Sequence, residues 1–188
     1  IMSGPLGSSQ WMYNTEYYDY KIGYSCRFNR PSNHHLTRTF ASGGNRRTWT
    51  YSLWIKPTKW DDYNSGAGLS GAGGIFSQFN NNSNTADLTF SGDAGRLQLY
   101  DYISGYRTNL GSTTRHYRDT SAWYHIMAVM DSTQGTAANR AKVFVNGENI
   151  VGDLTTATYP SQNLEGLFNN ADDHAIGKGN GAYHSDSY

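Results

Sequence analysis

Residues 123–147 constrain the fold of this chain more than any other stretch. They open with an apolar run from Trp123 to Asp131 (WYHIMAVMD), and a Ser-, Thr-, Gly- and Asn-rich connection follows over 132–139. A second apolar run over 141–145 then ends at Asn146-Gly147. Asn-Gly between extended segments is the strongest short hairpin signal, because both residues tolerate the positive φ of a two-residue turn. The region therefore predicts antiparallel β-sheet. In the first run Trp123, Met127 and Val129 share one face while Tyr124, Ile126 and Met130 share the other. A strand apolar on both sides is predicted to be central and covered on both faces.

Period-two patterning recurs along the chain. Trp49, Tyr51, Leu53 and Ile55 alternate with Thr48, Thr50, Ser52, Trp54 and Lys56 until Pro57 stops the strand. Trp54 thus falls on an otherwise polar face, where packing under a loop is the favoured fate of so large a side chain and a ligand platform the alternative. Further strands are predicted over 24–28, 35–40, 75–79, 102–110 and 173–177, and a hairpin joins 87–90 to 96–100. Residues 60–74 and 80–85 read as loops, and 154–168 as irregular. Residues 1–22 carry Trp11, Met12, Tyr13, Tyr17, Tyr18 and Tyr20 without strand alternation, and read as an irregular N-terminal arm that either folds back or docks on partner subunits. No segment sustains apolar residues at a helical period. About ten to twelve short strands spaced by turns predict an all-β chain whose residues 23–188 form a two-sheet antiparallel sandwich.

Composition removes several function classes. Fifteen basic residues balance fifteen acidic ones, and no basic block exceeds Arg46-Arg47, so no nucleic-acid partner is expected. No apolar run is long enough to span a bilayer, so membrane insertion is not expected. The single Cys26 excludes an internal disulfide and a thiolate zinc site, and its extended surroundings predict a small core residue.

Three spaced motifs carry a resemblance. Residues 123–131, then Val143-Phe144-Val145-Asn146-Gly147, then His174-Ala175-Ile176-Gly177 resemble laminin-G-like modules of the concanavalin A-like lectin/glucanase superfamily, over roughly 24–188. That resemblance implies a jelly-roll sandwich. The opening Met2-Ser3-Gly4-Pro5-Leu6-Gly7-Ser8-Ser9-Gln10-Trp11-Met12-Tyr13 and the segment 46–56 are similar to phage and virus structural proteins, often of marine phages, that carry this module. What this implies is a virion surface protein (capsid decoration, tail fibre or spike) that contacts other virion proteins through its arm, assembles as a homo-oligomer and binds host surface glycans. In the family an apolar strand normally follows the segment matched by 183–188 and closes the sheet beside the first strand. Its absence before Tyr188 implies a fragment of a longer protein, or an edge completed by another chain.

The superfamily's retaining glucanases need two carboxyl groups roughly 5–5.5 Å apart. Glu16, Glu148 and Glu165 are isolated here, and the adjacent pairs Asp61-Asp62 and Asp172-Asp173 would point to opposite faces of a strand, so no catalysis is expected. His125, inside the family motif, reads as a satisfied core histidine. Tyr100, Asp101, Tyr102, Tyr106 and Arg107 form the densest aromatic-polar cluster, suited to stacking on sugar rings and bonding hydroxyls or, by the favoured reading, to packing between subunits; Trp54 joins them as a candidate platform. No cofactor is required. Calcium is the one metal the resemblance admits, with Asp87, Asp131 and Asp172 as candidate ligands beside Asp93 and Asp173, against an explanation of each as a turn residue. A cellular or secreted extracellular lectin is the alternative function, and a glycoside hydrolase a third.

Overall fold

The structure, a computed structural model, describes residues 23–28, 34–57, 73–81, 84–91, 95–111 and 113–179. The predicted arm, nearly all of the 60–74 loop, Asp93 and the segment 183–188 lie outside these residues. The described residues form eleven strands: β1 (Leu36–Thr39), β2 (Thr48–Ile55), β3 (Gly73–Asn81), β4 (Asn84–Ser91), β5 (Arg96–Ile103), β6 (Tyr106–Leu110), β7 (Tyr124–Asp131), β8 (Ala141–Val145), β9 (Glu148–Asn149), β10 (Ala157–Thr158) and β11 (Asp173–Ile176). They build two antiparallel sheets. The first has seven strands in the order β1-β11-β3-β4-β5-β6-β10, and the second has four in the order β2-β7-β8-β9.

Alternation decides which side of each strand enters the core. On β7, Tyr124, Ile126, Ala128 and Met130 are buried, and Ala141, Val143 and Val145 of β8 continue that face. Across the sandwich they meet Leu88 and Phe90 of β4, Leu97 and Leu99 of β5 and Leu110 of β6, none more than 1% exposed. Burying each such side chain stabilises the fold by about 1.5–3 kcal/mol. An aromatic stack bridges the two layers at one end. Tyr51 of β2 stacks on Phe76 of β3 with ring centroids 4.4 Å apart, Phe76 stacks on Phe168 at 5.0 Å, and Trp49 meets Phe168 edge-on at 5.1 Å.

The Asn146-Gly147 turn forms as predicted, with φ of 51° and 83°, and hands β8 to the two-residue β9. Other expectations are corrected. β7 is indeed flanked on both sides, by β2 and β8, but its outward residues His125, Met127 and Val129 are only half-buried, because no described segment crosses the outer face of the smaller sheet. The predicted strand over 24–28 is absent and Cys26 is exposed. No ladder accepts this segment; its Phe28 ring instead lies against Gly177, where an added Cβ would come within 2.7 Å of the ring and φ is +78°. The predicted strand 102–110 divides into the end of β5 and all of β6, because Ser104 and Gly105 turn the chain at positive φ. Within the irregular 154–168 stretch, Ala157 and Thr158 add β10 to the edge of the larger sheet.

Candidate functional site

The outward face of the seven-stranded sheet carries a row of polar and tyrosine side chains. Register places Asp87 of β4 opposite Tyr100 of β5, Tyr100 opposite Asn109 of β6, and Tyr102 opposite Tyr106. Directly opposed residues in an antiparallel pair share a face, so these side chains stand together, on the side away from Leu88, Leu97 and Leu99. Tyr106 is the hub: its ring lies edge-on to Tyr100 at 5.8 Å and to Tyr102 at 5.2 Å. Tyr106 is 53% exposed and Tyr102 is half-buried, so both present ring surface to solvent. Beside them the Gln98 amide donates to Asn109 Oδ1 at 3.1 Å. Beneath, Tyr100 Oη donates to Asp87 Oδ2 at 2.5 Å, and the Thr85 hydroxyl also donates to that oxygen. Asp87 is fully buried. Tyr100, held by Asp87, gives the exposed Tyr106 ring a fixed neighbour, which limits the freedom that ring loses when something stacks on it.

Asp101 and Arg107, neighbours of these tyrosines in sequence, do different work. One residue past Tyr100, Asp101 points inward, opposite Thr108. Its Oδ2 accepts the Leu167 N–H at 2.7 Å, and its Oδ1 accepts the Arg107 guanidinium. Burial pushes the Asp101 carboxyl above the usual carboxylate range, while the Leu167 amide and Arg107 pull it back. Arg107 also donates to the Glu165 carbonyl, and Arg46 donates to the Gly166 carbonyl at 2.7 Å. Asp101 and Arg107 therefore anchor the 165–167 segment to the larger sheet, and Arg46, just before β2, ties it to the smaller one. Arg47 holds the Glu165 carboxylate at 3.0 Å, and Arg115 holds that of Glu148 at 2.7 Å.

Trp54 stands on the other side of the molecule, on the outward face of the smaller sheet. It is 55% exposed and not packed under a loop, because β2 is an edge strand and no described segment crosses that face. It leans on His125 at 5.1 Å between ring centroids, and His125 Nε2 shares a hydrogen bond with Ser52 Oγ at 2.9 Å. His125 is thus satisfied, as expected, but at the surface and not in the core.

The three candidate calcium ligands lie apart. Asp87 is under Tyr100; Asp131 ends β7, where it accepts from the Thr133 backbone amide and from Gln134 Nε2 at 2.6 Å; Asp172 precedes β11 and accepts from Gln78 and Asn170. The hydrogen bonds from Thr133 and Gln134 hold the Asp131 carboxyl below its ordinary value. Each carboxylate has an oxygen that already accepts from N–H or O–H donors. Among the described residues no group of three or more His, Cys, Asp or Glu side chains is placed to hold a metal ion, so these residues do not fit a calcium site together. Among the same residues no helix is long and apolar enough to cross a membrane.

Two antiparallel sheets packed face to face define a jelly-roll-type β-sandwich. The sequence profile described as the concanavalin A-like lectin/glucanases superfamily, in its laminin-G form, matches residues 32–187, and the chain belongs to that family. No curated protein matches it. Among solved structures it is similar to domains LG4-5 of the mouse laminin α1 chain, at 16% identity and a TM-score of 0.51, over 80% of this chain and 33% of that one. It is also similar to domain 4 of AbnA, an extracellular GH43 arabinanase of Geobacillus stearothermophilus, solved with arabinotriose (19% identity, TM-score 0.47, 70% of this chain and 52% of that one). A third likeness is the heptameric SAP-like pentraxin of Limulus polyphemus (20% identity, TM-score 0.46, 81% and 64%). In each case the chain spans less than two thirds of the solved chain.

Proposed function

We propose that this chain is a non-enzymatic glycan-recognition module of a virion surface protein, and that it reads sugars with the outward face of the seven-stranded sheet at Tyr102 and Tyr106. One observation carries the reading: three tyrosines meet edge-on upon one face, two of them open to solvent, beside the Gln98–Asn109 amide pair. Tyrosine faces stack on the C–H faces of pyranose rings, and amides both donate to and accept from hydroxyls. The family's association with carbohydrate binding supports it.

The placement of acids supports recognition over hydrolysis. Asp87 and Asp101 sit on neighbouring strands but on opposite faces of the sheet, and Glu148 and Glu165 are each held by an arginine elsewhere. Support for the virion location is the resemblance of the opening segment and of residues 46–56 to virion proteins; on this reading the arm contacts neighbouring virion proteins.

A glycan array followed by calorimetry on the best hit tests the recognition. Binding is expected to vanish in Tyr106→Ala and to survive EDTA, since no metal is required. No hit on the array, or binding indifferent to Tyr102→Ala and Tyr106→Ala, overturns it. Antibody labelling of intact particles tests the location separately: unlabelled particles would remove the virion role and leave the sugar site standing.

A further inference from the structure

Two polar groups are left without partners at one place between the sheets. Register sets Thr108 of β6 opposite Asp101 of β5 on the inward side, and Trp49 of β2 reaches the same place from the smaller sheet. The Thr108 hydroxyl and the Trp49 indole N–H are buried, and neither has a hydrogen-bond partner among the described residues. An unpaired polar group in an interior is costly, and native proteins seldom keep one. Both side chains line one small cavity, walled also by Met130, Phe168, Gly166 and Asp101. The neighbours are already fixed. The Trp49 ring is set edge-on against Phe168 at 5.1 Å, and Asp101 is held by Arg107 at Oδ1 and by the Leu167 N–H at Oδ2. Oδ2 keeps acceptor capacity, since a carboxylate oxygen has two lone-pair directions and the described residues place one donor on it. That oxygen lies beside the cavity wall: a Cβ added to Gly166 would come within 3.2 Å of it.

We propose that this cavity is a binding site for one internal water. The water accepts from the Trp49 indole N–H, shares a hydrogen bond with the Thr108 hydroxyl and donates to Asp101 Oδ2. The cavity volume of about 10 Å³ matches the room one water needs, and it excludes a second water or any larger molecule. About three hydrogen bonds is the usual complement of a buried water. The chemistry selects against a metal ion, because the indole aims a proton into the site and Arg107 already meets the Asp101 charge. The water ties β2 of the smaller sheet to β5 and β6 of the larger one, a polar link across layers otherwise joined by apolar contact. It also gives a reason for threonine at 108, an inward and fully buried position where valine would suit an apolar core.

A crystal structure fine enough to show ordered solvent tests this first. One solvent peak is expected within hydrogen-bond distance of Trp49 Nε1, Thr108 Oγ1 and Asp101 Oδ2 together. In solution, the Trp49 indole proton, assigned by its loss in Trp49→Phe, is expected to give a through-space cross-peak to water. Rotating-frame spectra separate that contact from chemical exchange by sign. Thr108→Val, which keeps the branched shape and removes the hydroxyl, is expected to lose the cross-peak, and Thr108→Ser to keep it. A cavity without solvent density overturns the proposal, as does a Trp49 N–H bonded directly to a protein oxygen. A wild-type indole with no cross-peak to water overturns it too, and so does a cross-peak that Thr108→Val leaves at full strength. The wild-type crystal and spectrum decide the matter even if Thr108→Val does not fold.

Discussion

The two outward faces of this sandwich show the same alternation used in opposite ways. On the seven-stranded sheet, the outward Ser77, Thr85, Asp87 and Tyr100 are buried and bonded to one another or to the backbone, and the rings of Tyr102 and Tyr106 stand at the end of that bonded row. On the four-stranded sheet, Thr50, Ser52 and Trp54 are exposed, and the contact that steadies Trp54 is its lean on His125. On the proposed reading, the bonded polar row would fix the first face for recognition, and the second face has no such row among the described residues. Aromatic exposure alone does not separate them, since Trp54 and Tyr106 are almost equally exposed. What separates them is what lies underneath.

The comparison breaks first at Asp101. If the Asp101–Arg107 clamp is a structural anchor, as its inward aim indicates, Asp101→Ala leaves Arg107 and the Leu167 amide without their partner. It should cost about 3–5 kcal/mol in a denaturant melt. Sugar affinity per folded molecule should not change, and a loss of affinity at full stability would move Asp101 into the recognition surface. Next comes the bonded floor of that row, Tyr100 on Asp87. Tyr100→Phe removes the donor to Asp87 Oδ2 and should cost about 1–2 kcal/mol, with weakened sugar binding as Tyr106 loses its support. Unchanged stability would mean that the floor is not preorganised.

A smaller effect is expected in acid, at the β1–β11 edge of the same sheet. His174 is buried against Phe40 and Phe76; its Nε2 accepts the Asn169 N–H at 3.1 Å, and its Nδ1 lies 2.9 Å from the Asp172 carbonyl. That arrangement holds a neutral ring with its proton on Nδ1. Burial lowers the His174 pKa below its ordinary 6.5, with Asp172 and Asp173 pulling the other way. The unfolded chain therefore binds this proton more readily. The stability from His174 is full above pH 6.5 and is lost as pH falls through the folded value. In His174→Gln that part of the acid sensitivity should disappear, which melts between pH 7 and pH 5 will check.

Much of this was legible in the sequence because alternation and turn chemistry are local. The face of Trp49, Tyr51, Leu53 and Ile55, the hairpin at Asn146-Gly147 and the tyrosine cluster at 100–106 all follow from neighbouring residues. What escaped depended on distant ones. Asp101 reads as a partner of Tyr100 along the chain, yet a period of two sends adjacent residues to opposite faces, so the cluster divides between an outward tyrosine group and an inward anchor. Trp54 was expected under a loop, but whether anything crosses an edge strand is a matter of topology. Cys26 was expected in the core, although a short alternating segment gains a sheet position only if some ladder has room for it. The Asp87 floor had one readable signal, a buried-looking Thr-x-Asp-x-Thr alternation over 85–89, whose meaning emerges only when Tyr100 is set opposite.

The smallest stability effects give the sharpest test. Tyr106→Ala and Trp54→Ala each remove a large, half-exposed aromatic from an outward sheet face, and each should shift stability by only about 0.5 kcal/mol or so. Their folding consequences are thus matched, and any difference in sugar binding must come from where the ring sits. Loss in Tyr106→Ala with retention in Trp54→Ala is the expected result. Equal loss in both would mean that both faces recognise and that the bonded floor is irrelevant. Loss in Trp54→Ala alone would transfer the site to the smaller sheet, where Trp54, His125 and the exposed Trp123 would then be the surface to explain.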